Sequence, residues 1–242
     1  DGQAIMVLDN TCANKPTEMW VSKRDLTNDE ELPGATLAIK DMDGNTVTTW
    51  VSTDEPHRVT GLHFGESYTL TEIRAVDGYA LADNITFRLI QKTDEGGNPL
   101  EECEVYYLTT KNILFWKWDD WRLLDDATVI MRDDITKVQI SKKDLTTKEE
   151  LPGAELTLTD EKGNEIDRWV STDAPHYMER LPAGKYTLTE VTAPDGYAIA
   201  ERVEFEVLPT GEVQTFEMFD DTIKVKISKV DITTNKELPG AE

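Results

Sequence analysis

Three observations predict an all-β chain built from tandem β-sandwiches. Long segments recur along the chain, apolar and polar residues alternate with period two inside each copy, and turn signals punctuate the alternating runs. The recurrence is plain. VSKRDLTNDEELPGATLAIKDMDGNTVTTWVSTDEPH (21–57) returns as ISKKDLTTKEELPGAELTLTDEKGNEIDRWVSTDAPH (140–176) and begins a third time as ISKVDITTNKELPGAE (227–242). A second block, YTLTEIRAVDGYALADNITF (68–87), returns as YTLTEVTAPDGYAIAERVEF (186–205). A closing block, TVIMRDDI (128–135), returns as TFEMFDDTI (215–223), and AIMVLDN (4–10) resembles the closing block of an earlier unit.

The layout that follows is a closing strand of a preceding repeat (1–11), a linker (12–17), a first sandwich (18–135), a second (136–222) and the opening of a third (223–242). Truncated neighbouring repeats are thus expected at both ends. The first sandwich carries an insertion at about 91–127. Lys142 stands nine positions after Asp133, and Lys229 stands nine after Asp220. A short join of fixed length suits stacked repeats better than a flexible linker does.

Within a unit, TLAIK, ELTLT, YTLTE, ITFRLI and VEFEV alternate and are rich in strand-forming residues. DMDGN, DEKGN, GGN and PTGE read as hairpin turns, because Gly and Asn accept positive φ. Proline marks the loops in ELPGA, DEPH, DAPH and APDGY. Many short strands and no amphipathic helix predict sandwiches of about seven strands each.

Composition narrows the function. A net charge of −23 disfavours nucleic acid and anionic lipid as partners. No apolar run reaches the roughly 18–20 residues of a membrane span, so no membrane contact is expected for this stretch. Cys12 and Cys103 stand in no metal-ligand spacing, and neither a metal nor a cofactor is expected. Two unpaired thiols is the plainer reading of the pair, although a disulfide remains open.

Three ionisable residues recur at matching places: Lys23, Glu72 and Asp133 in the first unit, Lys142, Glu190 and Asp220 in the second. Lys to Glu spans 49 and 48 residues, while Glu to Asp spans 61 and 30, the difference being the insertion. The lysines lie in the opening strand and the aspartates in the closing one. If those strands are neighbours, amine and carboxyl meet in the core, with the glutamate at the end of YTLTE between them. Asp134 and Asp221 follow directly. The first aspartate of each pair is preferred because it stands two residues after Met131 or Met218.

The order SK-x-D, ELPGA, YTLTE-x-x-A-x-DGY and a terminal M-x-D resembles the Cna protein B-type domain, also called the SpaA-like prealbumin-fold pilin domain. The resemblance covers nearly the whole chain. It implies a seven-stranded Ig-like or prealbumin-like sandwich serving as a stalk module of a Gram-positive adhesin or pilus, extracellular at the cell wall. It further implies an isopeptide bond, self-formed between a first-strand Lys and a last-strand Asn or Asp with the help of a Glu. Those roles fall on Lys23, Glu72 and Asp133, and on Lys142, Glu190 and Asp220. Asp9 would be the acceptor of the unit before and Lys229 the nucleophile of the unit after, both without partners here.

The chemistry requires burial. A solvated lysine, with a pKa of about 10.4, is protonated and cannot attack. Removal from water disfavours charge on both groups, a neutral amine can then add to a neutral carboxyl, and the glutamate can shuttle protons. This is one turnover on the protein itself, so no enzyme acting on an outside substrate is expected.

Other signals have plainer explanations. ELPGAT (31–36) faintly resembles a sorting signal but recurs in every unit and reads as a turn. Ser52, Asp54 and His57 return as Ser171, Asp173 and His176, yet they lie within six residues and lack a nucleophile elbow. His57 with His63 makes a weak metal pair, since the second unit lacks the latter. DMDGN lacks the rest of a calcium loop. The insertion carries Trp116, Trp118 and Trp121, an aromatic set that a hairpin packed on its own unit explains. The alternative is a ligand-binding adhesin module that uses 105–121 to hold a host matrix protein or a glycan. The other partners expected are neighbouring repeats of the same chain.

Overall fold

A computed structural model describes residues 17–113, 116–124 and 126–240. The described residues form two compact units of β-structure without helices. The expected closing strand at 1–11, with Asp9, lies outside them, as does Cys12 of the expected linker.

The first unit runs through β1 (Glu18–Asp25), β2 (Thr36–Lys40), β3 (Thr46–Val51), β4 (His57–Thr60), β5 (Ser67–Arg74), β6 (Ile85–Thr93), β7 (Pro99–Ile113), β8 (Trp116–Leu123) and β9 (Thr128–Asp133). They make one sheet ordered β4-β1-β9 and a second ordered β3-β2-β5-β6-β7-β8. The second unit runs through β10 (Lys137–Asp144), β11 (Glu155–Asp160), β12 (Glu165–Val170), β13 (His176–Glu179), β14 (Gly184–Thr192), β15 (Val203–Val207) and β16 (Val213–Asp220). Its sheets are β13-β10-β16 and β12-β11-β14-β15.

Seven strands match the expectation in the second unit, whereas the first has nine. The extra pair comes from the insertion. It is more than a hairpin laid on a finished unit, because β7 pairs with β6 from Phe87↔Tyr107 to Gln91↔Cys103 and β8 then pairs with β7. Val105 of β7 is fully buried in the core. Edge pairing satisfies the backbone of the insertion and widens the sheet at once.

The alternating runs deliver their apolar sides between the sheets. Met19 and Val21 of β1 and Val129 and Met131 of β9 face Leu37, Ile39, Leu70, Phe87 and Leu89 of the larger sheet. The second core repeats this with Val138, Ile140, Leu156, Leu158, Leu188 and Met218. Each such side chain contributes about 1.5–3 kcal/mol when fully buried.

The hairpin turns follow their sequence signals. Gly44, Gly97 and Gly163 have φ of 85°, 82° and 82°, which a Cβ would strain. The carboxylates of Asp41, Asp94 and Asp160 accept the backbone N–H of Asn45, Asn98 and Asn164 in those turns. PTGE, expected as a hairpin turn, is instead a crossing, because β15 and β16 lie in different sheets.

The topological feature that matters most is parallel pairing of the first and last strands of each unit. β1 runs beside β9 with Lys23↔Met131 and Asp25↔Asp133 in register, and β10 runs beside β16 with Lys142↔Met218 and Asp144↔Asp220. A parallel neighbour cannot be reached by a tight turn, so all the intervening strands form the crossover.

ELPGA is a turn entering a strand, as expected. Leu32 N–H donates to Lys23 O at 2.7 Å, and Leu151 N–H donates to Lys142 O at 2.7 Å. Leu238 N–H makes the same bond to Lys229 O at 2.8 Å in the third copy, which has no strand among the described residues. The same backbone bond thus closes this turn in all three copies.

Leu158 is fully buried at the centre of the second core. Leu158→Ala is expected to cost about 2–5 kcal/mol, read as a lowered urea midpoint of the second unit's transition with the slope unchanged.

Candidate functional site

The parallel strand pairs place one lysine and one aspartate of each unit on the same inward face. Lys23 is the sixth residue of β1 and Asp133 the last of β9. With Met131 opposite Lys23, the lysine side chain reaches along the strand to the carboxyl two residues on. Lys23 Nζ contacts Asp133 Oδ1 directly and lies 3.0 Å from Glu72 Oε1. The exposures of Lys23, Glu72 and Asp133 are 1%, 2% and 1%. In the second unit Lys142 Nζ contacts Asp220 Oδ1 and lies 3.0 Å from Glu190 Oε1, again fully within the sandwich. The structure thus brings together both trios singled out in the sequence.

The glutamates come from the facing sheet, near the ends of β5 and β14, and are held there by backbone. Ala82 N–H donates to Glu72 Oε2 at 2.8 Å, and Ala200 N–H donates to Glu190 Oε2 at 2.6 Å. One oxygen is anchored, and the other faces the amine without a hydrogen bond beyond that charge contact.

The acceptor carboxyls are electrostatically unusual. Asp133 Oδ2 and Asp220 Oδ2 are buried with no hydrogen-bond partner. An ionised carboxylate with an orphan oxygen out of water is costly, so the neutral acid is favoured. Burial pushes the Asp133 carboxyl up to about 7 against the pull of Lys23, and Glu72 adds to the rise. Burial likewise lifts Asp220 to about 6, with Glu190 adding and Lys142 opposing.

The neighbouring aspartates are engaged elsewhere. Asp134 accepts the N–H of Ile135 at 2.8 Å, and Asp221 pairs with Lys224 at 2.6 Å near the surface. Lys229 is exposed in the third copy. Sequence reasoning missed Asp25 and Asp144, two residues beyond each lysine on the same face, and Tyr79 and Tyr197, which donate to them at 2.7 and 2.6 Å. The signals available were the repeated K-x-D and DGY.

The other motifs resolve into structural roles. Ser52 donates to Leu32 O at 2.6 Å and accepts from Ala35 N–H at 2.9 Å, and Ser171 does the same with Leu151 and Ala154. His57 stacks on Trp50 at 4.4 Å, and His176 stacks on Trp169 at 4.3 Å. The serine hydroxyls order the ELPGA turn and are not paired with the histidines. No group of side chains fit to hold a metal ion occurs among the described residues. Trp121 is packed against Arg88, whose guanidinium stands 4.2 Å from the ring centre. Trp116 and Trp118 lie on β8 opposite Ile113 and Lys111, and their side chains are outside the described set. Cys103 is a free, half-buried thiol.

Fold and clusters together define a class: tandem β-sandwich modules in which first and last strands run parallel over a buried Lys–Glu–Asp trio. The chain belongs to the SpaA family of prealbumin-like fold domains, whose model matches residues 17–96 and 136–222. Solved structures with a similar course include the TIE protein of Bacillus anthracis, at 22% identity and a TM-score of 0.44 over 86% of this chain. The chain spans 34% of that protein. Others are the C-terminal fragment of the pilus adhesin SpaC of Lactobacillus rhamnosus GG (17% identity, TM-score 0.40) and its shaft pilin SpaA (12%, 0.34). Both comparisons cover 88% of this chain and 100% of the other. No curated protein sequence matches the chain.

Lys23→Met keeps the volume but strips Asp133 of its cation. The folded carboxyl pKa, already about 7, then stays above the unfolded value of about 3.9, so the folded state binds the extra proton. Stability of Lys23→Met is expected to be highest below about pH 4 and to fall as pH rises through about 7. Lys23→Met/Asp133→Asn, which lacks the carboxyl, should lose that part of the dependence when urea midpoints are compared across pH.

Proposed function

We propose that the two units are structural stalk modules of a cell-wall-associated bacterial adhesin or pilus-like protein. In this reading each unit is locked by an amide between Lys23 and Asp133 or between Lys142 and Asp220. The observation that carries the reading is a fully buried amine against a carboxyl whose second oxygen has no partner, repeated in both units. Family membership supports the modular role.

The reaction balances without an outside reagent. Within the buried pair a proton moves from amine to carboxyl, giving neutral –NH2 beside –COOH. Nζ attacks the carboxyl carbon and gives a proton to Oε1 of the glutamate, which passes it to the departing hydroxyl. One C–N bond forms, one C–O bond breaks, and one water leaves. The glutamate needs one fixed and one free oxygen for this, which matches its anchoring by the Ala82 or Ala200 N–H. Holding the reactants in contact replaces collision and supplies much of the acceleration.

The bonds would close loops spanning 110 and 78 residues. By analogy with disulfides, each stabilises the module by roughly 4–5 kcal/mol less any strain. Domain limits of 18–135 and 136–222 for the two modules are part of the same proposal.

Intact mass is expected to fall short of the sequence mass by about 18 Da per bond, one water each. Glu72→Ala and Glu190→Ala should each restore one water and lower the melting temperature of the affected unit. A wild-type mass equal to that of the sequence would remove the proposal.

A further inference from the structure

Each lysine has two aspartates within its strand pair's inward face, and only one can be the intended acceptor. Lys23 and Asp25 are two residues apart on β1, so their side chains project to the same side. Asp25 is also the direct register partner of Asp133. The second unit repeats this with Lys142, Asp144 and Asp220. Asp25 and Asp144 are buried, with exposures of 4% and 9%. In register, both carboxyls stand two positions beyond the lysine, one on its own strand and one on the neighbouring strand.

The two carboxyls are treated oppositely. Asp25 Oδ1 accepts the Thr27 N–H at 2.7 Å and the Thr27 hydroxyl at 2.6 Å, while Oδ2 accepts the Tyr79 hydroxyl at 2.7 Å. Asp144 Oδ1 accepts the N–H groups of Thr146 and Thr147 at 2.6 and 2.8 Å, and Oδ2 accepts the Tyr197 hydroxyl at 2.6 Å. Donors on both oxygens favour the carboxylate, a poor electrophile. The Tyr197 hydroxyl, above all, holds Asp144 below the usual carboxylate range, while burial lifts Asp220. Environments that split two neighbouring carboxyls in this way mark their roles.

The bonds to Oδ1 come from the turn alone, since Asp231 of the third copy accepts the N–H groups of Thr233 and Thr234 in the same manner. Oδ2 depends on the tyrosine, which arrives from the DGY loop of the other sheet. That loop continues into Ala82 or Ala200, whose N–H anchors the glutamate.

We infer that Tyr79 and Tyr197 select the acceptor: by occupying Oδ2 of Asp25 and Asp144 they withhold those carboxyls from the lysine and direct the amide to Asp133 and Asp220. This rests on the amide reading proposed above. The tyrosines are positioning residues that touch the competing carboxyl and not the reacting atoms.

The test uses the full chain with Tyr197→Phe and, separately, Tyr79→Phe, followed by intact mass and peptide mapping. Loss of one charged hydrogen bond should move the partition between acceptors by roughly tenfold. In Tyr197→Phe an amide within β10, Lys142 to Asp144, is expected beside a reduced Lys142–Asp220 link. Adding Asp144→Ala should abolish that product and restore the Asp220 link, a rescue that a merely structural role for the tyrosine would not give. A folded Tyr197→Phe protein with its link wholly at Asp220, or a link that falls without any Asp144 product and is not rescued, overturns the inference and leaves the amide reading standing. A wild-type mass with no water lost overturns both.

Discussion

Everything in these units depends on a parallel contact between the strand that opens each sandwich and the strand that closes it. That contact sets a lysine and an aspartate from opposite ends of the sequence side by side, out of water. Two buried charges would be a poor source of stability, because desolvation offsets their attraction. The arrangement makes physical sense when the charge is given up. Asp133 and Asp220 are biased toward the neutral acid by burial and by an oxygen with no donor near it.

The facing sheet supplies the rest of the site. The strand ending in YTLTE delivers the glutamate, and the DGY loop that follows fixes one of its oxygens through a backbone N–H. The same loop sends a tyrosine across to the carboxylate beside the lysine. Lysine, glutamate and neighbouring carboxylate are thus held by the DGY loop and two sheets that the core locks together. The serine and histidine that return in each copy look chemical in the sequence, but they serve this scaffold, as a turn staple and a stacking partner.

Much of this was legible in the residues because the chain states it twice. A trio that returns in the same order within matching sequence blocks stands out even when its ends are 110 and 78 residues apart, and period two placed most strands. The tyrosine and second aspartate were harder to see, because alternation puts Asp25 beside Lys23 but says nothing of which hydroxyl will reach it. Nor does PTGE announce that the strands it joins belong to different sheets, since a turn signal specifies local φ and not pairing partners. The insertion misled in a similar way. Its alternation signals a strand with one apolar side, but whether that strand packs on a sheet or extends it is decided by a free edge that only the fold reveals.

The bond that closes the ELPGA turn recurs in the third copy, where none of the described residues forms a strand. The bend that follows each lysine thus belongs to the opening segment, and the closing strand adds the far side of the contact. Because that strand comes last in the unit and lies parallel to the first, the three-stranded sheet is incomplete without the unit's final residues. A unit cut short at its trailing end would therefore lose the whole of that pairing at once.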